Sequence, residues 1–341
     1  MTVNLTELTL KEIYDLSKKV LEFNGCDEEN ANAVAKTVTH AERDGSISHG
    51  LFRIPGYVAA LKSKKAKGNA SPSNIFLTQN AIRVDGDYGF APTAIKVGLP
   101  ALVDTTNKHG VGVLTITNTH HFAALWHETE ALAENNLIGI ACTAYMPSVA
   151  PIGATKPLFG TNPICFGTPT SSKVPFILDT AVSVINRGKI RVAARTGKKI
   201  PKGVALDKFG KPTTDAKKAL EGVQLPIAEF RGSGLAWMVD ILSGVFTGGN
   251  HAGRVKDPFD DFSGPQNIGH LFIVIKPNLF VGNYNQRIKE NIKRIKRLPK
   301  IKGVKEILYP GQSKSRRYKI NLKKVINIPK NILEDLKKLD A

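Results

Sequence analysis

Apolar residues in about the first 60 positions recur every three or four residues, the spacing of one face of an α-helix. The first such stripe spans Leu10–Leu21, directly after Thr9, and Glu12 stands three positions beyond that threonine. Thr and Glu at this spacing predict a capping box at the start of a helix. Asn24-Gly25 predicts a left-handed cap at its end.

Two further helices are predicted before the pattern changes near residue 73. One runs from Asp27 to Asp44 and is broken by Gly45. The next begins near Pro55, a residue type favoured in the first helical turn. The basic segment Lys62–Ser73 ends this helical region and marks a candidate domain boundary.

The central region contains short apolar or β-branched segments without a helical period, which predicts strands. They are a hairpin over Ala81–Tyr88 that turns at Asp85-Gly86, and strands over Val111–Thr117, Leu137–Thr143, Phe176–Asp179 and Leu271–Ile275. Helical patterns occupy Pro92–Lys108, Ala123–Asn135 and Leu235–Phe246. This alternation predicts a layered α/β or α+β domain.

The formal net charge of +19 is concentrated near the C-terminus, where residues 276–341 hold 19 Lys and Arg against five Asp and Glu. Ile288, Ile292 and Ile295 recur there at helical spacing among cations, which predicts an amphipathic helix. Its basic face suits either a solvated surface or a phosphate-binding patch. Because aromatic residues are sparse around it, base stacking has little to act on and nucleic acid is disfavoured.

The composition bounds the class of protein. A chain of 341 residues with 42% apolar residues is long enough to bury a core without disulfide or metal support. Three scattered cysteines indicate a reducing compartment, and the N-terminus lacks the pattern of a signal peptide. We therefore expect a cytoplasmic protein that does not span a membrane.

The segment Asp44–Arg53 places Ser48, His49 and Arg53 within six residues. An imidazole titrates near neutral pH and can move a proton, while a guanidinium one helical turn away can hold a carboxylate. The pattern is thus compatible with a site that binds an acid and transfers a proton. On spacing alone, a helix cap with a surface histidine and arginine is the simpler interpretation.

Other motifs narrow the chemistry. Neither G-x-G-x-x-G between a strand and a helix nor a P-loop occurs, which disfavours a Rossmann dehydrogenase and a P-loop enzyme. The adjacent His120 and His121 would point to opposite faces of a strand, so we expect no metal site. The apolar but broken segment Gly153–Pro169 is expected to line a pocket or to form a buried connection. Asp179 is expected to cap a helix or to accept a hydrogen bond from a ligand.

Six segments together resemble the malate/L-lactate dehydrogenase family that lacks a Rossmann domain. They are residues 40–57, 119–126, 151–169, 176–190, 199–222 and 234–249. The sequence Phe122–Trp126 and the TGGN segment at 247–250 are most similar to the branch that reduces Δ1-piperideine-2-carboxylate and Δ1-pyrroline-2-carboxylate.

The resemblance implies a fold and an assembly. The expected fold is a nicotinamide-binding domain on a largely antiparallel sheet, over residues 76–284. A helical domain made from both chain ends, residues 1–75 with 285–341, is expected to flank it. The resemblance also implies a homodimer.

The resemblance further implies roles for individual residues. Ser48 and His49 match the proton-handling pair, and Arg53 and Thr161 match contacts to the substrate carboxylate. Expected contacts to the nicotinamide cofactor are His121, Phe122, Ala123, Ala124, Leu125, Leu178, Asp179, Thr180, Arg231, Gly232, Gly311 and Arg316.

Three departures from the family pattern bear on these roles. Arg231-Gly232 stands where relatives commonly have Lys-Gly, and AEF precedes it in place of the usual Gly-Gly. Gly188 and Lys189 occupy the place where some imino-acid relatives have an acid that orients the histidine. PGQSKSRR at 310–317 replaces a PGE motif, and because its added Arg316 and Arg317 suit a 2′-phosphate, we expect NADPH, with NADH as the alternative.

The leading hypothesis is NAD(P)H-dependent reduction of a cyclic ketimine 2-carboxylate to L-proline or L-pipecolate. A 2-hydroxy-acid dehydrogenase of the malate/lactate type would use the same geometry. A hypothesis of another class is a basic protein associated with nucleic acid.

Overall fold

The structure is a computed structural model that describes residues 5–121, 124–257, 264–322 and 325–340. Its helices are α1 Leu10–Phe23, α2 Glu28–Arg43, α3 Ile54–Lys62, α4 Ala91–His109, α5 Trp126–Glu134, α6 Arg187–Arg195, α7 Ala216–Glu221, α8 Phe230–Asp240, α9 Tyr284–Lys296, α10 Gln312–Asn321 and α11 Lys330–Leu339. Its strands are β1 Leu5–Leu8, β2 Ser73–Phe76, β3 Ala81–Asp85, β4 Val111–Thr119, β5 Ile138–Thr143, β6 Ile164–Thr168, β7 Phe176–Thr180, β8 Ala205–Leu206, β9 Val223–Gln224, β10 Ile268–Ile275 and β11 Ile326–Pro329.

The local signals of the first two helices are confirmed. Thr9 caps α1 by accepting from the backbone N–H of Glu12, whose carboxylate accepts in return from the Thr9 backbone. Gly25 follows the helix with a φ of +101°, a conformation that favours glycine. The Asp27 carboxylate caps α2 in the same manner, accepting from Asn30 N at 2.8 Å.

A seven-stranded sheet forms the centre of the molecule, in the order β2-β3-β4-β10-β5-β6-β7. Its neighbouring strands are antiparallel except for β3 and β4, which run parallel. The predicted hairpin at Asp85-Gly86 is wrong. Residues Ala81–Asp85 instead pair antiparallel with the preceding Ser73–Phe76 and parallel with β4. Pairing with a strand distant in sequence is thus preferred over the local turn.

The two chain ends meet on one side of this sheet. Strand β1 pairs antiparallel with β11, so that Leu5 lies opposite Pro329. Ile328 and Leu336 join the buried apolar cluster formed by α1, α2 and α3. A C-terminal segment thus completes the core of the N-terminal helices, and this fixes α2 beside the central sheet.

A second apolar core lies between the sheet, α4 and α5, and includes Leu125, Trp126 and Ile177. The predicted amphipathic helix α9 forms, but none of its residues is buried. None of the helices in the described ranges is long and apolar enough to cross a bilayer. The candidate site lies at the sheet edge formed by β6 and β7, next to α5.

Candidate active site

A short segment between α2 and α3, residues 46–53, forms a turn beside the candidate site and is called the 46–53 turn. It contains two 3-10 turns, Ile47–His49 and Leu51–Arg53. The Glu42 carboxylate accepts from the backbone N–H of Leu51 at 2.8 Å. A Cβ on Gly50 would lie 2.0 Å from that carboxylate, so glycine is required for the close approach. Burial raises the pKa of Glu42 to about 7.

The 46–53 turn brings the three predicted side chains together. Ser48 Oγ lies 3.1 Å from His49 Nδ1. Arg53 Nε donates to the carbonyl oxygen of Ser48 at 2.7 Å, which fixes the guanidinium beside the imidazole. Burial, reinforced by the nearby Arg53 charge, lowers the pKa of His49 to about 3. The imidazole is therefore neutral at physiological pH before an anion binds.

These side chains face a cavity of about 220 Å³. Its lining includes the predicted residues His49, Arg53, Thr161, His121, Ala124, Leu125 and Asp179, together with Tyr145, Pro163, Ala181 and Asn186. Residues far apart in the sequence thus converge on one small space. Its size and its guanidinium suit a small carboxylate.

Asp179 forms one wall of this cavity at the end of β7. Its Oδ2 accepts from the backbone N–H of Trp126, the first residue of α5, at 3.2 Å. Asp179 is exposed at the cavity. Desolvation by the surrounding protein nonetheless raises its pKa to about 6. Leu178 and Thr180 flank it on the same strand. Phe122 and Ala123 lie outside the described residues.

The remaining predicted cofactor residues lie outside the cavity lining. Gly232 is buried in α8, where a Cβ would lie 1.8 Å from the Ile227 carbonyl oxygen, and Arg231 beside it is exposed. Gly311 has a φ of +93° and lies against β7. Arg316 Nη2 is 2.5 Å from Glu306, and this contact helps lower the pKa of Glu306 to about 2.

Two tyrosines in the site were not anticipated. The Tyr57 hydroxyl lies 3.1 Å from His121 Nδ1, and the rings of Tyr57 and Tyr145 both contact the His121 ring edge-on. His121 has a φ of +39°, so the backbone is held in an uncommon conformation at the cavity. Sequence spacing gave no signal for either tyrosine, because both reach the site from other elements.

The sequence also gave no signal for a network of buried charges beneath the cavity. Lys314 of α10 places Nζ 3.2 Å from Asp44 Oδ2 and 4.0 Å from the centre of the Trp126 ring. The same carboxylate accepts from the Trp126 indole N–H at 3.0 Å, and Trp126 contacts the His49 ring edge-on. Arg43 completes the neutralisation of the buried Asp44. Burial nonetheless lowers the pKa of Lys314.

The described residue of α6 that lies beside Ser48 is a glycine. Gly188 of α6 lies so close to Ser48 that a Cβ would be 3.4 Å from the serine Cβ. The neighbouring Asn186 lines the cavity, and its side chain caps α6 through Lys189 N. The chain therefore places glycine, and not an acid, beside the serine.

A larger cavity of about 540 Å³ lies along the other side of α5. Its lining includes Arg43, His127, Lys173, Tyr318 and Lys319. It lacks His49 and Arg53, so we assign the chemistry to the smaller cavity despite the difference in volume. Lys314 lies between the two spaces, because it contacts both Trp126 and Glu130.

One wall of the cavity fits the flat face of a nicotinamide ring. Ala124 and Leu125 give a small apolar surface there, beside the carboxyl of Asp179. The backbone N–H of Trp126, at the start of α5, is already bonded to that carboxyl. The α/β fold thus holds a guanidinium, an imidazole and a carboxyl around one small cavity, an arrangement suited to an enzyme that acts on a small carboxylate.

Comparisons with known proteins identify the family. The Malate/L-lactate dehydrogenase family matches residues 8–337, and the chain belongs to this family. It is 39% identical over 313 residues to the Δ1-pyrroline-2-carboxylate reductase of Ancylobacter novellus, covering 91% of this chain and 92% of that protein. It is 35% identical over 345 residues to the Δ1-pyrroline-2-carboxylate/Δ1-piperideine-2-carboxylate reductase of Pseudomonas putida, covering 99% and 98%.

Solved structures agree with this assignment. The Δ1-piperideine-2-carboxylate reductase of Pseudomonas syringae pv. tomato superposes with a TM-score of 0.90 at 35% identity, covering 98% of this chain and 99% of that one. The sulfolactate dehydrogenase of Methanocaldococcus jannaschii gives 0.89 at 32% identity, covering 98% and 96%. The fold is thus shared by imine and hydroxy-acid members.

Proposed function

We propose that this protein reduces the C=N bond of a cyclic ketimine 2-carboxylate with a reduced nicotinamide cofactor. The substrates are Δ1-pyrroline-2-carboxylate or Δ1-piperideine-2-carboxylate, and the products are L-proline or L-pipecolate. The observation that carries the proposal is the convergence of Arg53, His49 and Asp179 on one cavity of about 220 Å³. The names of the relatives, at 35–39% identity over more than nine-tenths of the chain, support the choice of an imine.

Arg53 holds the substrate carboxylate and thereby sets the position of the ring. A guanidinium makes bidentate contact with a carboxylate, and good orientation can contribute several kcal/mol to lowering a barrier. Burial is the main cause of the lowered pKa of His49, and the Arg53 charge adds to it. A bound carboxylate would offset the second of these two contributions.

His49 and Ser48 handle the proton at the imine nitrogen. When Ser48 Oγ–H donates to Nδ1, the other ring nitrogen carries the hydrogen and can hydrogen-bond the substrate. A protonated iminium accepts hydride far more readily than a neutral imine, because its carbon is more electron-poor. Ala124, Leu125 and Asp179 would hold the reduced nicotinamide, which would supply the hydride to C2 of the substrate. The C=N π electrons then become the nitrogen lone pair of the secondary amine.

The loss of reduced-cofactor absorbance with a panel of substrates tests this proposal. We expect kcat/KM for pyrroline-2-carboxylate or piperideine-2-carboxylate to exceed that for pyruvate and oxaloacetate by at least about tenfold. Equal or faster turnover of the keto acids would assign the protein to the 2-hydroxy-acid dehydrogenases. The observation that supports this second candidate is the likeness to a sulfolactate dehydrogenase, with 32% identity and a TM-score of 0.89.

NADPH is the proposed cofactor, in preference to NADH. Arg316 and Arg317 of α10 are the cations assigned to the 2′-phosphate. Arg316 contacts Glu306 and would have to leave it to bind the phosphate. We expect Arg316→Ala to raise KM for NADPH about tenfold and to change KM for NADH less than twofold. An equal change for both cofactors would place the 2′-phosphate elsewhere. The exposed Arg287→Ala of α9 is the matched control.

The working assembly is proposed to be a homodimer. The α8 face and the π turn Ile241–Val245 that follows expose large apolar side chains. They include Phe230, Trp237, Ile241, Val245 and Phe246, with exposed fractions from 45% to 77%. Apolar surface on this scale is normally covered in solution.

The three cysteines are free and buried, in keeping with a reducing compartment, and we propose the cytoplasm.

A further inference from the structure

Tyr145 occupies the substrate cavity without a role in the mechanism given above. It follows β5 and lines the cavity with Arg53, His121 and Thr161. Its backbone N–H donates to Asn162 Oδ1 at 3.2 Å, and its ring lies edge-on to the His121 ring. A Cβ on Gly160 would lie 2.3 Å from the Tyr145 carbonyl oxygen. The residue is therefore held from several sides.

The hydrogen bonds of Arg53 show why Tyr145 matters. A guanidinium has five N–H donors. Nε of Arg53 is used by the carbonyl oxygen of Ser48 at 2.7 Å. The hydroxyl of Tyr145 lies on the same cavity, within reach of a second guanidinium N–H for a hydrogen bond. The remaining donors are left for a ligand, and the tyrosine is fixed next to them.

The direction of that hydrogen bond leaves the tyrosine proton available. Arg53 has no acceptor atom, so the Tyr145 oxygen accepts and its O–H points elsewhere. Burial raises the pKa of Tyr145, so the hydroxyl stays protonated and remains a donor. Arg191 and Asp257 act on Tyr145 through their charges, whereas Arg53 is its hydrogen-bond partner.

We propose that Tyr145 is a substrate-binding residue whose hydroxyl donates to the carboxylate held by Arg53. One carboxylate oxygen would accept from Arg53 alone, and the other from both Arg53 and Tyr145. This assignment rests on the proposed function, since it needs a carboxylate in this cavity. It predicts that two side chains from different elements recognise an anionic planar group. They are Arg53, from the turn before α3, and Tyr145, from the segment after β5.

Two ligands of the same shape separate this role from a structural one. Pyrrole-2-carboxylate and pyrrole-2-carboxamide differ in the charge and acceptor capacity of one group. Their dissociation constants are measured by calorimetry on the whole protein with oxidised cofactor, for wild type and Tyr145→Phe. Tyr14→Phe is the control, because Tyr14 also loses one hydroxyl contact, to Asn32, far from the cavity.

We expect Tyr145→Phe to weaken the carboxylate about tenfold and the carboxamide less than twofold, because a hydrogen bond to an ion is lost. KM for the imine substrate should rise by a similar factor, with kcat changed less than threefold. No change, or equal weakening of both ligands, would overturn the assignment. A wild-type protein that fails to prefer the carboxylate, or fails to turn over the imines, would instead refute the proposed function.

Discussion

The 46–53 turn and helix α10 meet beneath the same cavity but are held there by different means. The turn is fixed locally: Glu42 accepts from Leu51 N, and Gly50 permits the close approach. Helix α10 is fixed by contacts across some 270 residues, with Lys314 on Asp44 and Arg317 donating to the Asp44 carbonyl. We propose that the turn positions the reacting groups and that α10 supports the wall behind them. Substitutions in the turn should therefore affect turnover more than substitutions in α10.

The largest effect is expected at His49. His49→Ala removes the group that handles the proton, so we expect kcat to fall by about 10²–10⁴-fold while NADPH binding stays nearly unchanged. Steady-state kinetics and a cofactor titration measure the two quantities. His109→Ala, an exposed histidine at the end of α4, is the control. Unchanged turnover in His49→Ala would end the assignment of His49 as proton donor.

The next largest effect is expected at Arg53. Arg53→Lys replaces a planar fork with a point charge, so bidentate contact with the carboxylate is lost. We expect KM for the imine to rise by about tenfold or more, with a smaller change in kcat. Arg287→Lys on the exposed face of α9 controls for a general effect of the substitution. A fall in kcat alone would mean that Arg53 serves the chemical step and not carboxylate binding.

These two residues also show how much the sequence could predict. Ser48, His49 and Arg53 stand within six positions, and the caps at Thr9 and Asp27 are local signals. Tyr145, Glu42 and Lys314 could not be predicted, because their partners are distant or their role is a buried contact. The hairpin predicted at Asp85-Gly86 was wrong for the same reason. Strand β3 ends at Asp85, and its parallel partner β4 begins 26 residues later.

Helix α10 is tested at Lys314. Lys314→Met leaves the buried Asp44 with Arg43 as its remaining cation and removes the charge above Trp126. We expect about 2 kcal/mol lower stability and a two- to fivefold loss in kcat/KM, with Lys314→Arg close to wild type. Denaturant unfolding and kinetics provide the measurements. A loss of turnover as large as that of His49→Ala would abolish the distinction between the two regions.

The smallest effect on activity is expected at Glu42, where the change concerns stability. The pKa of Glu42 is raised in the folded state, so its contribution to stability is present below about pH 4.5 and is lost as pH rises toward 7. Glu42→Gln keeps the acceptor for Leu51 N but cannot ionise. Between pH 4.5 and 8 we expect the variant to gain about 3 kcal/mol relative to wild type.

Unfolding by denaturant at several pH values measures this difference. Glu7→Gln, on the exposed strand β1, is the matched control and should show no such trend. A difference between Glu42→Gln and wild type that does not vary with pH would mean that Glu42 is ionised throughout. The 46–53 turn would then be held by a carboxylate at no cost to stability.

A crystal structure with NADP⁺ and pyrrole-2-carboxylate tests the central claim most directly. We expect the ligand carboxylate on the Arg53 guanidinium, with the ring nitrogen facing His49 and the ring between Asp179 and Thr161. A ligand bound elsewhere, or one whose carboxylate points away from Arg53, would contradict it.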